Sequence, residues 1–371
     1  MHLYITYNDA PSGIYSSQVI DVVKFIDDKL NEKIKLVSFI SLRGFLKNRR
    51  VIKQLSPDAI VLPMYPKMVN WDKNVVLLNL ICRRYKPKTL ITRSVIATNL
   101  GLQIRDRYKK QLRVIYDGRG AISEEWKEYG VVKDQQLIDQ IDILEKTAVL
   151  KSDYRIAVSQ ELINLWKKKF QYALDKHVVI PCTINSIFEN IEISENKTSE
   201  IRKEFNLNLN DIIFVYSGSI AGWQSFGLLS EFLRPILVKD KTCNVLFLSN
   251  PDKSIDQLKQ NFPDQVFVKH LQPNEVPRYL VACDYGLLIR EQSITNKVAS
   301  PVKFAEYLAC GLPVIISDNL GDYSQFVRQN NCGSLYTHFE FIKYNKVELK
   351  NIARSNFTKY SFTQSYKKLF N

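Results

Sequence analysis

Five residues that bind phosphate and sugar groups in other settings fall close together in this chain. Arg290 ends an apolar run, YGLLIR, and a polar loop follows it. Ser300 and Pro301 then open a helical pattern, SPVKFAEYLACGLPVII, that carries Lys303 and Glu306. Serine suits an N-cap and proline the first helical position. A helix N-terminus attracts phosphate through its N–H groups and the positive end of its dipole. Lys303 falls in the first turn, beside such a phosphate. Glu306 is three residues on and shares the same face. There its carboxylate can accept hydrogen bonds from the vicinal hydroxyls of a ribose. Gly311 and Pro313 end the helix and begin another buried strand. Diphosphate first and ribose second is the order in which a nucleoside-diphosphate sugar meets this surface. The alternative is an exposed Lys303–Glu306 salt bridge with no ligand.

These residues need strand ends and helix starts to hold them, and the chain supplies both twice. HLYITY, KIKLVSFI, DAIVLPM, TLITRS, LRVIYD and YRIAVS read as strands in the first half, and SSQVIDVVKFIDDKL as a helix with Val19, Val22, Val23 and Ile26 on one face. The pattern restarts with DIIFVYSGS, and NVLFLSN, QVFVKHL, YGLLIR, LPVIIS and CGSLYT follow. Near-continuous apolar strands alternating with helices imply α/β architecture with parallel sheets covered on both faces. We expect an N-terminal domain over residues 1–185 and a C-terminal domain over 186–355. Residues 356–371 are expected to add a short helix that returns to the N-terminal domain.

S-P-V-K-F-A-E-Y-L-A-C-G-L-P-V-I resembles the nucleotide-binding signature of retaining GT-B glycosyltransferases of glycosyltransferase family 4. The resemblance extends through YRIAVSQELINLW, VVIPCTINSIF, IFVYSGSIAGWQSF and KHLQPNEVPRYLVACDYGLLI. It implies two Rossmann-like doubly wound domains facing a central cleft, with the donor nucleotide on the C-terminal one. In the family's E-x7-E motif the second glutamate binds the ribose, a role that falls to Glu306. The first corresponds to Val298 here, so the chain resembles the S-P-x-K-x-x-E-Y-L-A variant. The loop that usually offers Arg and Lys to the diphosphate has Ser219 and Gln224 instead, which leaves more of the phosphate charge to Arg290 and Lys303. The loop after the first strand, with Gly13, corresponds to one that faces the donor phosphates.

The resemblance also implies a site on the acceptor side. LRVIYDGRG takes the place of a strand that often ends in a histidine, and here it ends in Asp117, followed by Arg119. Asp117, at a strand's carboxyl end, suits a sugar hydroxyl or the acceptor; an Asp117–Arg119 structural contact is the alternative. Arg93 and Ser94 end another strand, and Glu124 follows soon after Gly120. The expected catalytic residues are therefore Asp117, Arg290 and Lys303. Gly13, Ser219, Ser300, Pro301 and Glu306 complete the donor site, and Arg93, Ser94, Arg119 and Glu124 are acceptor-side candidates. No D-x-D motif follows a strand, so no metal and no other cofactor is expected.

Composition bounds the partners. The chain has 371 residues, 45% hydrophobic, with six scattered cysteines that form no C-x-x-C pair and suit a reducing compartment. No leader or membrane-spanning run is apparent, which suggests a cytoplasmic protein. The net charge is +14, and residues 1–185 hold 31 Lys and Arg against 19 Asp and Glu. Three segments mix those cations with apolar residues: 42–55 (LRGFLKNRRVIKQL), 105–113 (RDRYKKQLR) and 165–170 (LWKKKF). They suggest a peripheral protein on the anionic inner face of the cell membrane, acting on a glycan or lipid-linked glycan acceptor in bacterial surface polysaccharide synthesis. Inward-facing apolar residues with solvated lysines are the alternative. A sugar-nucleotide epimerase of the same shape would place histidines and acids around the sugar, and the four histidines here stand in no such pattern. A nucleic-acid-binding protein would show a recognisable module, and none is present.

Overall fold

The computed structural model describes residues 1–108, 111–192, 194–220 and 222–371. Lys109 and Lys110, at the middle of the basic run 105–113, lie outside the described residues. The chain divides into two compact units. Residues 1–181, 298–300 and 362–371 form the first, and 182–297 with 301–361 the second.

Unit 1 is built on seven parallel strands: β1 (His2–Tyr7), β2 (Ile34–Ile40), β3 (Ile60–Pro63), β4 (Thr89–Arg93), β5 (Arg113–Gly118), β6 (Tyr154–Ala157) and β7 (His177–Val179). Their order is β3-β2-β1-β4-β5-β6-β7. The sheet grows outward from β1, then restarts at β4 on the other side of β1, so the strand order reverses between β1 and β4. All six residues of β1 are buried, as expected for a strand covered on both faces. Helix Asp21–Leu30 buries Val22, Val23, Phe25 and Ile26, and a π-helical turn, Ser16–Ile20, precedes it. The C-terminal segment adds Tyr366 and Leu369 to the same core, with the Tyr366 ring 5.5 Å from that of Phe25. β7 did not stand out in the sequence, because its three residues, HVV, run straight into Ile180 and Pro181.

Unit 2 has six parallel strands: β8 (Ile212–Ser217), β9 (Cys243–Leu248), β10 (Val266–Lys269), β11 (Tyr285–Leu288), β12 (Val314–Ile316) and β13 (Gly333–Leu335). Their order, β10-β9-β8-β11-β12-β13, reverses between β8 and β11. Helix Val302–Ala309 lies against β11 and β12. Its contact with β11 depends on Gly286, where an added Cβ would stand 2.4 Å from the Tyr307 ring. The Tyr307 hydroxyl accepts a hydrogen bond from Ser217 N at 2.9 Å, which ties the helix to the end of β8. The six cysteines are buried and free.

The structure corrects the amphipathic reading of residues 165–170. Trp166 is 0% and Phe170 5% exposed, because helix Gln160–Phe170 turns both into the core. Lys169 donates to Ser123, Glu124 and Asp142, so it is held in a charged network at the protein's own surface.

Candidate functional site

In open α/β sheets, ligands bind outside the strand carboxyl ends where the strand order reverses. In unit 2 that point lies beyond β8 and β11. Arg290 follows β11 by two residues, and its backbone is fixed by Ser317, just after β12. Ser317 Oγ accepts from Arg290 N at 2.6 Å and donates to Arg290 O at 2.6 Å. The guanidinium donates to Gln224 Oε1 at 3.2 Å and to Asn296 Oδ1 at 3.4 Å.

Lys303 reaches the same place from the first turn of helix Val302–Ala309. Its Nζ donates to Gln224 Oε1 at 3.1 Å and stands 3.9 Å over the centre of the Tyr216 ring. Gly218, at the end of β8, has a φ of +124°, and an added Cβ would come 3.4 Å from Lys303 Nζ. The positive φ calls for a glycine here, while the lysine's approach alone would leave room for a Cβ. Among the described residues no carboxylate pairs with Lys303 within 4.0 Å. Burial and the nearby Arg290 charge hold its pKa well below the usual lysine value. Glu306, one turn along, is partly buried, and burial raises its pKa to about 7 against the pull of Lys303. Lys303 and Glu306 thus share a helix face without forming the salt bridge considered above.

The helix start differs from expectation. Pro301, with extended backbone (φ −73°, ψ 114°), occupies the cap position, and no side chain caps the first turn. The ψ of Pro301 is extended although its φ would suit a helix, so the helix begins one residue later than Ser300 and Pro301 suggested. Ser300 groups with unit 1. Ser219 is exposed, and its carbonyl oxygen accepts from the Tyr216 hydroxyl at 2.6 Å. Val298 is buried, 2% exposed.

Unit 1 gathers a second polar cluster at its own reversal point. Arg93 and Asp117 are register partners on β4 and β5. Asp117 is 2% exposed and accepts from the Tyr4 hydroxyl at 2.5 Å and from Arg119 Nη1 at 3.3 Å. Arg93 Nη1 is 3.8 Å from Asp117 and Arg93 Nε 3.3 Å from Asp9, whose carboxyl burial raises in pKa. Arg119 also donates to Gln18 at 2.8 Å. A cavity of about 10 Å³ borders Tyr4, Gln18, Asp117 and Arg119, room for about one water and too small for a sugar. Ser94 has a positive φ of 73°, and its carbonyl accepts from Thr98. Glu124 is bound by Lys169. Gly13 is exposed with nothing within 4 Å of an added Cβ, so no close approach demands a glycine there.

The structure thus brings Arg290 and Lys303 together on one acceptor, with Glu306 a turn away, and joins Arg93, Asp117 and Arg119. Sequence reasoning did not assign Tyr216, Ser317 or Asn296 to the site and noted Gln224 only as a replacement. Ser317 was findable as the first polar residue after the buried run PVII.

Residues 241–359 match the family model of the glucosyltransferase 3-like C-terminal domain. Over 67 residues the chain is 34% identical to the putative teichuronic acid biosynthesis glycosyltransferase TuaH of Bacillus subtilis, a match that spans 18% of this chain and 17% of that relative. The structure of Anabaena HepE, solved in complex with UDP, superposes with a TM-score of 0.74 at 13% identity, covering 100% of this chain and 99% of that one. A putative UDP-N-acetylglucosamine 2-epimerase from Listeria monocytogenes superposes less well, with a TM-score of 0.54 at 11% identity over 99% of this chain and 89% of that one. The two doubly wound units give the chain the GT-B fold.

Proposed function

We propose that the chain is a glycosyltransferase of polysaccharide biosynthesis that moves a sugar from a nucleoside diphosphate to a glycan hydroxyl. The observation that carries this reading is the convergence of Arg290 and Lys303 beyond β8 and β11, with Glu306 one turn further on. The two cations and the helix start receive the diphosphate, and Glu306 receives the ribose hydroxyls. HepE, of the same fold, was solved with UDP, which supports a uridine nucleotide as the first donor to try.

In the proposed reaction the acceptor oxygen bonds to the anomeric carbon as the bond from that carbon to the phosphate oxygen breaks. Arg290 and Lys303 stabilise the charge that builds on the departing diphosphate. The acceptor's proton passes to a departing phosphate oxygen, with retention of configuration and no need of a metal. On the acceptor side, Arg93 and Arg119 are held in place by Asp9 and Asp117, and Asp117 serves as their positioning residue.

The acceptor is proposed to be lipid-linked, with the enzyme resting on an anionic lipid surface. Support comes from the start of helix Phe45–Leu55. Leu42 and Leu46 are 53% and 79% exposed, and Arg43, Lys47, Arg49 and Arg50 are exposed around them, while Ile52 points into the core. Apolar side chains ringed by cations suit an anionic interface. Among the described residues no helix is long and apolar enough to cross a membrane.

Nucleoside diphosphate release from a panel of UDP- and GDP-sugars, with and without EDTA, tests the activity. Release in EDTA with a lipid-linked glycan acceptor is expected. Binding of nucleotide with no transfer to any glycan, but reversible conversion of the sugar, would favour an epimerase.

A further inference from the structure

The following rests on the nucleotide reading above and concerns the same site. Gln224 ends a short turn, Gly222–Gln224, in the connection from β8 to helix Phe226–Lys239. It is 8% exposed. Its one side-chain oxygen accepts from both Lys303 Nζ and Arg290 Nη2, at 3.1 and 3.2 Å. An amide oxygen has two lone pairs and both are committed here. It is nonetheless neutral, and Lys303 has no carboxylate partner among the described residues. An anionic oxygen in the same position would satisfy the two donors more strongly. The turn is also tied to the strand end that carries Arg290: Ser225 has a φ of +52°, and its Oγ accepts from Glu291 N at 2.9 Å. A serine in this left-handed region is held there at a cost by its surroundings.

We propose that Gln224 is a built-in surrogate for a donor phosphate oxygen: it holds Arg290 and Lys303 together in the free protein and is displaced from them when the nucleoside diphosphate binds. Gln224 is then a positioning residue that competes with the ligand. It keeps two buried cations hydrogen-bonded between turnovers, and every binding event must overcome those two bonds. The loss of positive charge on Lys303 favoured by its burial is reversed when a true anion arrives, so binding also brings a proton to the site wherever Lys303 was neutral.

The test uses two variants of the full chain, with UDP, GDP and ADP as probes, read by calorimetry and by thermal melting. Gln224→Ala removes the competitor and leaves the cations without their shared acceptor. Its free form should melt below wild type, its affinity for the best nucleotide should equal or exceed that of wild type, and its nucleotide-induced rise in Tm should be larger. Gln224→Glu puts an anion in place permanently, so its affinity should fall at least tenfold while its free form melts at or above wild type. Weaker binding by Gln224→Ala than by wild type would overturn the proposal, because it would make Gln224 a ligand of the nucleotide. Wild-type affinity in Gln224→Glu would overturn it too. If wild type binds none of the three nucleotides, the functional reading fails and this inference falls with it; the first two outcomes leave that reading intact.

Discussion

Lys303 Nζ stands 3.9 Å over the centre of the Tyr216 ring, so a buried ammonium is held by an aromatic face and by one amide oxygen. A cation–π contact is worth about 2 kcal/mol when desolvated, less than the several kcal/mol it costs to bury an ammonium. Lys303 is therefore placed at the expense of stability. Lys303→Met is one atom shorter, remains unbranched and removes the charge. We expect its urea midpoint to match or exceed that of wild type, with nucleotide affinity lower by at least tenfold, since hydrogen bonds to charged groups are worth about 1.5–3 kcal/mol. A variant that is clearly less stable than wild type would mean Lys303 is paired in a way this geometry does not show.

Glu306 should set a pH dependence of binding. Its pKa in the free protein is raised to about 7 by burial, with Lys303 opposing. Ribose hydroxyls donate to the ionised carboxylate, so nucleotide affinity should climb between pH 6 and 7 and level off above. At higher pH the depressed Lys303 loses its proton and affinity should fall. Glu306→Gln should bind more weakly and lack the rise. The folded-state pKa is raised, so the associated stability is complete below the ordinary carboxylate value and is lost as pH climbs through about 7. Glu306→Gln should therefore gain on wild type between pH 5 and 8, by up to about 2 kcal/mol in urea unfolding. Parallel pH profiles of the two proteins would contradict the assignment.

Gly286 should be intolerant of any side chain. A Cβ there meets the Tyr307 ring at 2.4 Å, and that ring anchors the helix bearing Lys303 and Glu306 through Ser217 N. Gly286→Ala should cost about 1–3 kcal/mol of stability as an overpacking change and reduce nucleotide affinity. Gly13→Ala, with open space around it, should do neither. Equal melting of the two variants would refute the packing argument.

The membrane reading predicts sedimentation with anionic but not neutral vesicles, weakened by salt. Leu46→Glu and Arg49→Glu/Arg50→Glu should each reduce it, and Lys167→Glu should not. No binding to anionic vesicles at low salt would end that reading.

Much of the fold was legible because parallel strands buried on both faces leave uninterrupted apolar runs. Twelve of the thirteen strands stood out as apolar runs, and β7 did not because its HVV runs straight into Ile180 and Pro181. Lys303 and Glu306 were legible as neighbours because helical spacing is local. Their environment was not. Tyr216 and Gln224, at and after the end of β8, and Ser317, after β12, reach Lys303 and Arg290 from two other strand ends, and such contacts leave no periodic trace. The helix cap was misplaced by one residue because serine and proline both suit a helix start. Asp117 was visible as a carboxylate at a strand end, and its contact with Arg119, two residues on, was the alternative considered; its commitment to Tyr4 and its proximity to Arg93 depend on side chains distant in sequence. LWKKKF misled because three lysines suggest a surface stripe, while Trp166 and Phe170 turn inward.

The most direct measurement is a calorimetric titration of UDP, GDP and ADP into wild type and into Glu306→Ala, with both proteins shown to be folded. Wild type should bind one of the three with one site per chain, and Glu306→Ala should bind that nucleotide at least tenfold more weakly. Unchanged affinity in a folded Glu306→Ala, or no binding by wild type, would contradict the proposal that unit 2 receives a nucleoside-diphosphate sugar through Arg290, Lys303 and Glu306.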